Sequence, residues 1–236
     1  MDIRKGIDAL SQQQGLTYCG VADLTGVQDA VIDQGGDYVA GYPRCISIGI
    51  ALPHPIVDAL PLRDRQEVAV NYRHQAYDVV NLRLDLAASM IACLLQDAGY
   101  RALPIPASKR YDSTRICAVF SHKLGARLAG HGWIGKSCLL VTRKHGPRVR
   151  WASVLTDAPL EANKDIMDER CGSCRQCVDI CPVNAYTNRN FVIGEPREMR
   201  YDARRCEEYF KEMEKERDPA VCGLCLYACP HGRKGK

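Results

Sequence analysis

Eight of the thirteen cysteines in this 236-residue chain fall in tight groups between positions 171 and 229. The other five, Cys19, Cys45, Cys93, Cys117 and Cys138, are scattered singly over the first 140 residues. Isolated thiols behave as small buried hydrophobes, whereas grouped ones hold metal. Disulfides are the competing use of so many cysteines. They suit exported chains, and thirteen would leave one thiol unpaired. The opening segment, Met1-Asp-Ile-Arg-Lys-Gly, leads into an amphipathic stretch rather than the apolar core of a signal peptide. No apolar run reaches the roughly 20 residues that cross a bilayer. The expectation is a cytoplasmic protein with no membrane partner.

Cys171, Cys174, Cys177 and Cys181 form C-x2-C-x2-C-x3-C directly before Pro182. This resembles the run of bacterial two-cluster ferredoxins. There, three closely spaced thiolates reach three irons of one cubane, and the fourth ligates the other cluster. Cys222, Cys225 and Cys229 before Pro230 repeat the pattern with one cysteine fewer, and Cys206 upstream is the obvious substitute. Two complete [4Fe–4S] sites follow: Cys171, Cys174, Cys177 and Cys229 for one, and Cys206, Cys222, Cys225 and Cys181 for the other. Zinc also binds C-x2-C pairs, but it needs neither a third close cysteine nor a repeated Cys-Pro. A cubane with four thiolates carries about −2, so two of them offset the formal charge of +4. The net charge therefore gives no reason to expect nucleic acid, and Arg233-Lys-Gly-Lys236 reads as a solvated tail.

Upstream of the cysteines the pattern is α/β. Ile3, Ile7 and Leu10 recur at helical spacing, and strands are expected at Thr17–Ala22 and Cys45–Leu52. A long helix over Tyr77–Asp97 buries Val80, Leu84, Ala87, Ile91 and Leu95, and Gly99 stops it. A strand near Ala102–Pro106, a helix over Val119–Leu128, and paired strands Cys138–Thr142 and Val149–Thr156 follow. A charged helix is expected over Ala203–Arg217. The composition changes near residue 160, which suggests domains 1–160 and 161–236, the second an α+β ferredoxin-like module.

Gly130-His-Gly-Trp-Ile-Gly-Lys-Ser137 matches both G-x-G-x-x-G and the phosphate-loop pattern G-x-x-x-x-G-K-S. Both require a strand before the loop and a helix after it. The order expected here is the reverse, so ATP and GTP are not expected. The glycines instead permit a tight turn presenting Trp133 and Lys136.

Gly132-Trp-Ile-Gly-Lys136, Leu155-Thr-Asp-Ala-Pro-Leu160 and the eight cysteines together resemble the epoxyqueuosine reductase family, and more broadly corrinoid-dependent reductases including reductive dehalogenases. The similarity runs over roughly residues 15–230. It implies a nitroreductase-like, cobalamin-reductase type domain joined to a two-cluster module whose electrons reach cobalt one at a time. It also implies cofactor contacts at Gly132, Trp133, Gly135 and Lys136. The family's proton-donating Asp stands seventeen residues before the Trp, where this chain has Ile116. Asp112, four residues earlier, fills that role only in a shifted register. The given sequence would correspond to a short form without the family's helical-repeat extension.

Further polar candidates are Tyr72, Arg73, His74, Tyr77, Lys109, Arg110, Tyr111, Asp112, His122, Lys123, His131 and Lys136. Among them Tyr111, Asp112 and His122 suit a proton donor; for each, the plain alternative is a core-satisfied or solvent-facing side chain. The leading expectation is a reductase acting on a small molecule or modified nucleoside. Its electrons would come from a ferredoxin- or flavodoxin-type donor. The competing expectation is an electron carrier whose first domain only docks a partner. A flavin in place of cobalamin rests on fold analogy alone.

Overall fold

The computed structural model describes residues 2–233; positions 234–236 of the basic tail lie outside them. In chain order the elements begin with α1 (Ile3–Gln13), β1 (Tyr18–Asp23), α2 (Gln28–Gly35) and β2 (Arg44–Ala51). Next come α3 (His54–Asp58), α4 (Gln66–Arg73), α5 (Val80–Asp97), β3 (Ala102–Ile105) and α6 (His122–Leu128). The remainder are β4 (Gly132–Ile134), β5 (Leu140–Thr142), β6 (Val149–Thr156), α7 (Gln176–Asp179), α8 (Ala203–Glu216) and α9 (Leu224–Ala228). No described helix is long and apolar enough to cross a membrane.

The chain divides into two compact units that are not linear in sequence. The first takes residues 1–50, 79–131 and 150–167; the second takes 51–78, 132–149 and 168–236. Relative to a single boundary at 160, segments 51–78 and 132–149 group with the cysteine-rich end.

The first unit is built on a sheet of order β1–β2–β6–β3. Both outer pairs, β1 with β2 and β3 with β6, are antiparallel. The class is thus mixed helix and sheet. Helix α5 buries Val80, Leu84, Ala87, Ile91 and Leu95 as its periodicity requires, each apolar side chain larger than alanine contributing about 1.5–3 kcal/mol. The expected start at Tyr77 gives way to a π-helical stretch, His74–Val79, that links α4 to α5. A second apolar cluster, including Leu24, Val31, Phe120, Leu124 and Leu155, seats α2 and α6. Gly35 closes α2, where an added Cβ would lie 2.1 Å from the Val119 carbonyl oxygen. Helix α6 starts later than expected because Ser121 accepts the Leu124 N–H and acts as its N-cap.

The expected pairing of Cys138–Thr142 with Val149–Thr156 does not occur. β5 instead pairs antiparallel with β4, register Trp133 to Val141. β6 is buried along nearly its whole length and lies inside the large sheet. The turn at Arg143–Pro147 is present, closed by Thr142 and Gly146 through reciprocal backbone hydrogen bonds.

Candidate functional site

In the second unit the β4–β5 hairpin reverses over Gly135–Leu139, held by Gly135 N–H to Leu139 O at 2.9 Å. No helix follows the glycine-rich segment, and the lysine of the literal phosphate motif faces no phosphate cradle. Its Nζ donates to the carbonyl oxygens of Gly172 at 2.7 Å and Cys174 at 3.1 Å. Lys136 is only 5% exposed, so these two bonds compensate its burial. Gly135 lets the hairpin press on the cysteine loop, since a Cβ there would sit 3.3 Å from the Cys171 sulfur.

Cys171, Cys174, Cys177 and Cys229 line one cavity with Gly135 and Lys136. Burial, then neighbouring Cys171 and Cys174, push the Cys177 thiol up to about 11. Burial, then Cys171, Cys177 and Cys174, push Cys229 up to about 12. Cys171 is likewise raised by burial, and opposed by the Lys136 N–H and the Trp133 indole. Nε1 of Trp133 is buried and meets no oxygen or nitrogen acceptor among the described residues. It lies beside the Cys171 sulfur, while the ring packs edge-on against His231 at 4.8 Å.

The other four thiols gather separately. Cys206 is raised by burial and then by Cys222 and Cys181; the Tyr201 hydroxyl opposes this. Burial also raises Cys222, against the Leu224 N–H and the Arg63 guanidinium. Cys225 reaches about 12 through burial, with Tyr186 as its donor, Cys222 and Cys206 as raising neighbours within the set, and Cys177 of the first set as a smaller one. The Cys181 sulfur accepts the Ala185 N–H at 3.4 Å.

Burial thus raises Cys171, Cys177 and Cys229 in the first set and Cys206, Cys222 and Cys225 in the second, and these thiols resist ionisation until a polycation compensates them. Among the described residues no three Cys, His, Asp or Glu side chains converge as one metal ion requires. A cubane differs in presenting four irons at separate corners, so it asks for thiolates around a void. The buried indole N–H with only sulfur to meet fits such a group.

The polar candidates divide between the units. Tyr72, Arg73, His74, Tyr77, Gly132, Trp133, Gly135 and Lys136 belong to the second. Lys109, Arg110, Tyr111, Asp112, His122, Lys123 and His131 belong to the first. There an open cavity of about 380 Å3 is lined by Gly35, Tyr38, Ile105, Lys109, Arg110 and Tyr111 among others. Asp112 is turned to local work: Oδ1 accepts the N–H groups of Thr114 at 2.7 Å and Arg115 at 2.9 Å. That turn carries Ile116 into the left-handed region at φ 51°. His122 is also engaged, with Nδ1 2.9 Å from the Ser153 hydroxyl and Nε2 3.0 Å from the Pro106 carbonyl. Burial pushes it down to about 4. It is neutral at pH 7, Nε2–H donating to Pro106.

Sequence reasoning missed Arg63, Tyr186 and Tyr201. The available signal was two tyrosines inside the linker between Cys181 and Cys206, each five residues from one of those cysteines.

Residues 170–232 match the family described as 4Fe-4S double cluster binding domain. The chain carries two [4Fe–4S] clusters. Over 168 residues it is 30% identical to the epoxyqueuosine reductase of Pseudomonas aeruginosa, covering 66% of this chain and 41% of that one. It thus spans less than half the length of that relative. Its fold is that of a reductive dehalogenase whose structure suggests a mechanism for B12-dependent dehalogenation, with TM-score 0.68 at 17% identity, covering 98% of this chain and 32% of that one. It also matches an epoxyqueuosine reductase solved with an epoxyqueuosine-modified tRNA-Tyr stem loop, with TM-score 0.57 at 19% identity, covering 98% and 65%. That neighbour binds the nucleic acid that charge alone gave no reason to expect.

Proposed function

We propose that this chain is an iron–sulfur reductase of the epoxyqueuosine reductase kind, in which two clusters relay single electrons to a cofactor or substrate held by the first unit. The sorting of eight thiols into two sets of four carries this reading. Cys171, Cys174, Cys177 and Cys229 ligate one cluster; Cys206, Cys222, Cys225 and Cys181 ligate the other. Bound there, the clusters supply one-electron transfer. The chain's own groups hold the thiolates, shield them from water and present N–H and O–H donors to sulfur.

Cobalamin is the cofactor this reading favours over flavin, supported by the B12-dependent neighbour. A nitroreductase-like layout of the first unit is consistent with its four-stranded sheet and packed helices. The substrate class is a modified nucleoside, within tRNA as in the related complex, and the donor is of ferredoxin or flavodoxin type. Tyr111 on the cavity rim is the proton donor, since Asp112 and His122 are already engaged. Anaerobically purified protein should contain about eight irons per chain and perturb the cobalamin absorbance spectrum on mixing. Intact clusters with no spectral change would remove cobalamin from the reading, and about four irons would remove the second cluster.

A further inference from the structure

Tyr186 and Tyr201 form a locked pair. Their rings stack at 5.1 Å and 21°, and their backbones form an antiparallel bridge. Thr187 N–H donates to Arg200 O at 3.1 Å, and Asp202 N–H to Ala185 O at 2.8 Å. Asp202 in turn caps α8, accepting the N–H groups of Arg204 and Arg205. The bridge therefore fixes the first turn of the helix that carries Cys206.

Each ring's hydroxyl ends at a sulfur of the same set, Tyr186 at Cys225 and Tyr201 at Cys206. A phenol hydroxyl held in a buried setting is destabilising unless it has a partner, and phenylalanine would pack a stack without that penalty. The hydroxyls therefore mark a use beyond packing. Among the described residues no tyrosine hydroxyl donates to the Cys171 set; the Trp133 indole is a side-chain donor to its sulfur.

We propose that Tyr186 and Tyr201 are positioning residues that raise the reduction potential of the cluster held by Cys206, Cys222, Cys225 and Cys181. This rests on the ligand sets proposed above. When that cluster accepts one electron its sulfurs become more negative, and an O–H···S bond stabilises the reduced form more than the oxidised one. No proton moves, and both phenols keep theirs. The electron comes from the chain's reductive partner or, in a titration, from a chemical reductant. Among the described residues two tyrosine hydroxyls reach sulfurs of one set and none reaches the other, which makes the two couples unequal.

The test is an EPR-monitored redox titration of the holoprotein beside its Tyr186→Phe and Tyr201→Phe variants. Two resolved couples and about eight irons in the parent protein establish the ligand reading independently. Each variant should then move one couple, the same in both, to more negative potential and leave the other in place. Unmoved couples, or both moving equally, overturn the inference. Should a variant lose iron, protein carrying 3-fluorotyrosine in place of tyrosine retains the rings and strengthens the donors. It should move that same single couple to more positive potential, and no shift there also overturns the inference.

Discussion

The ammonium of Lys136 and the carbonyl oxygen of Gly172 meet at 2.7 Å across 36 residues of sequence. The contact ties the tip of the β4–β5 hairpin to the loop that starts the first cysteine run. Together with the bond to Cys174 it turns what reads as a phosphate lysine into a structural clamp on cluster ligands.

Lys136→Met removes both bonds and leaves two carbonyl oxygens without their donor. Hydrogen bonds to charged groups contribute about 1.5–3 kcal/mol each, less whatever water recovers. The variant should melt several degrees lower and release iron faster under a chelator, read by thermal scans and iron loss kinetics. An unchanged melting temperature and iron half-life would show the clamp to be idle.

Cys206→Ala should affect one cluster only. Iron should fall from about eight to about four or five per chain, with the first set intact by EPR. Loss of all iron would show that the two sets do not assemble independently.

His122 and His131 are both pushed down to about 4, chiefly by burial. An unfolded histidine titrates near 6.5, so between about pH 6.5 and 4 the unfolded chain binds more protons. Stability is fully present above pH 6.5 and is lost as pH falls, each histidine contributing up to about 1.4 kcal/mol per pH unit. Urea unfolding at pH 7 and pH 5 should show this drop, and His122→Asn should flatten it. A pH-independent midpoint over that window would contradict the assignment.

Arg148 is 1% exposed and donates to Asp58 at 2.7 Å; its Nη1 also lies 3.1 Å from His54 Nδ1. Asp58→Asn leaves the buried guanidinium without its counter-charge. A fully buried pair broken this way loses about 3–5 kcal/mol, and the exposure of Asp58, 55%, reduces that to about 1–3 kcal/mol. Chemical denaturation of the two proteins gives the number directly, and equal midpoints would discount the pair.

The cysteine sets were legible because thiolate spacing is dictated by the cubane itself, a local constraint written into C-x2-C-x2-C. Helix α5 was legible because one face of it had to be apolar. The partners of β5 and β6 were not, since Leu140–Thr142 and Val149–Thr156 do not alternate apolar with polar residues and periodicity does not say which strand lies beside them. Arg63 escaped notice for a different reason. It lies 108 residues before Cys171, the first of the grouped cysteines, and only the folded second unit brings it to Cys222. The engagement of Asp112 by its own turn was equally invisible, because a carboxylate before Ser-Thr-Arg reads the same whether it is free or capping.

Gly146 and Gly232 give the second unit a property of another sort. A Cβ on Gly146 would lie 1.8 Å from the His231 carbonyl oxygen, and one on Gly232 would lie 2.0 Å from the His145 carbonyl carbon. Both obstacles are main chain, so no change of a neighbouring side chain can make room. Two sites 86 positions apart in sequence are therefore barred from substitution jointly and without available compensation. The hairpin and the final Cys-Pro segment can drift in sequence around them, yet must do so as one heritable unit.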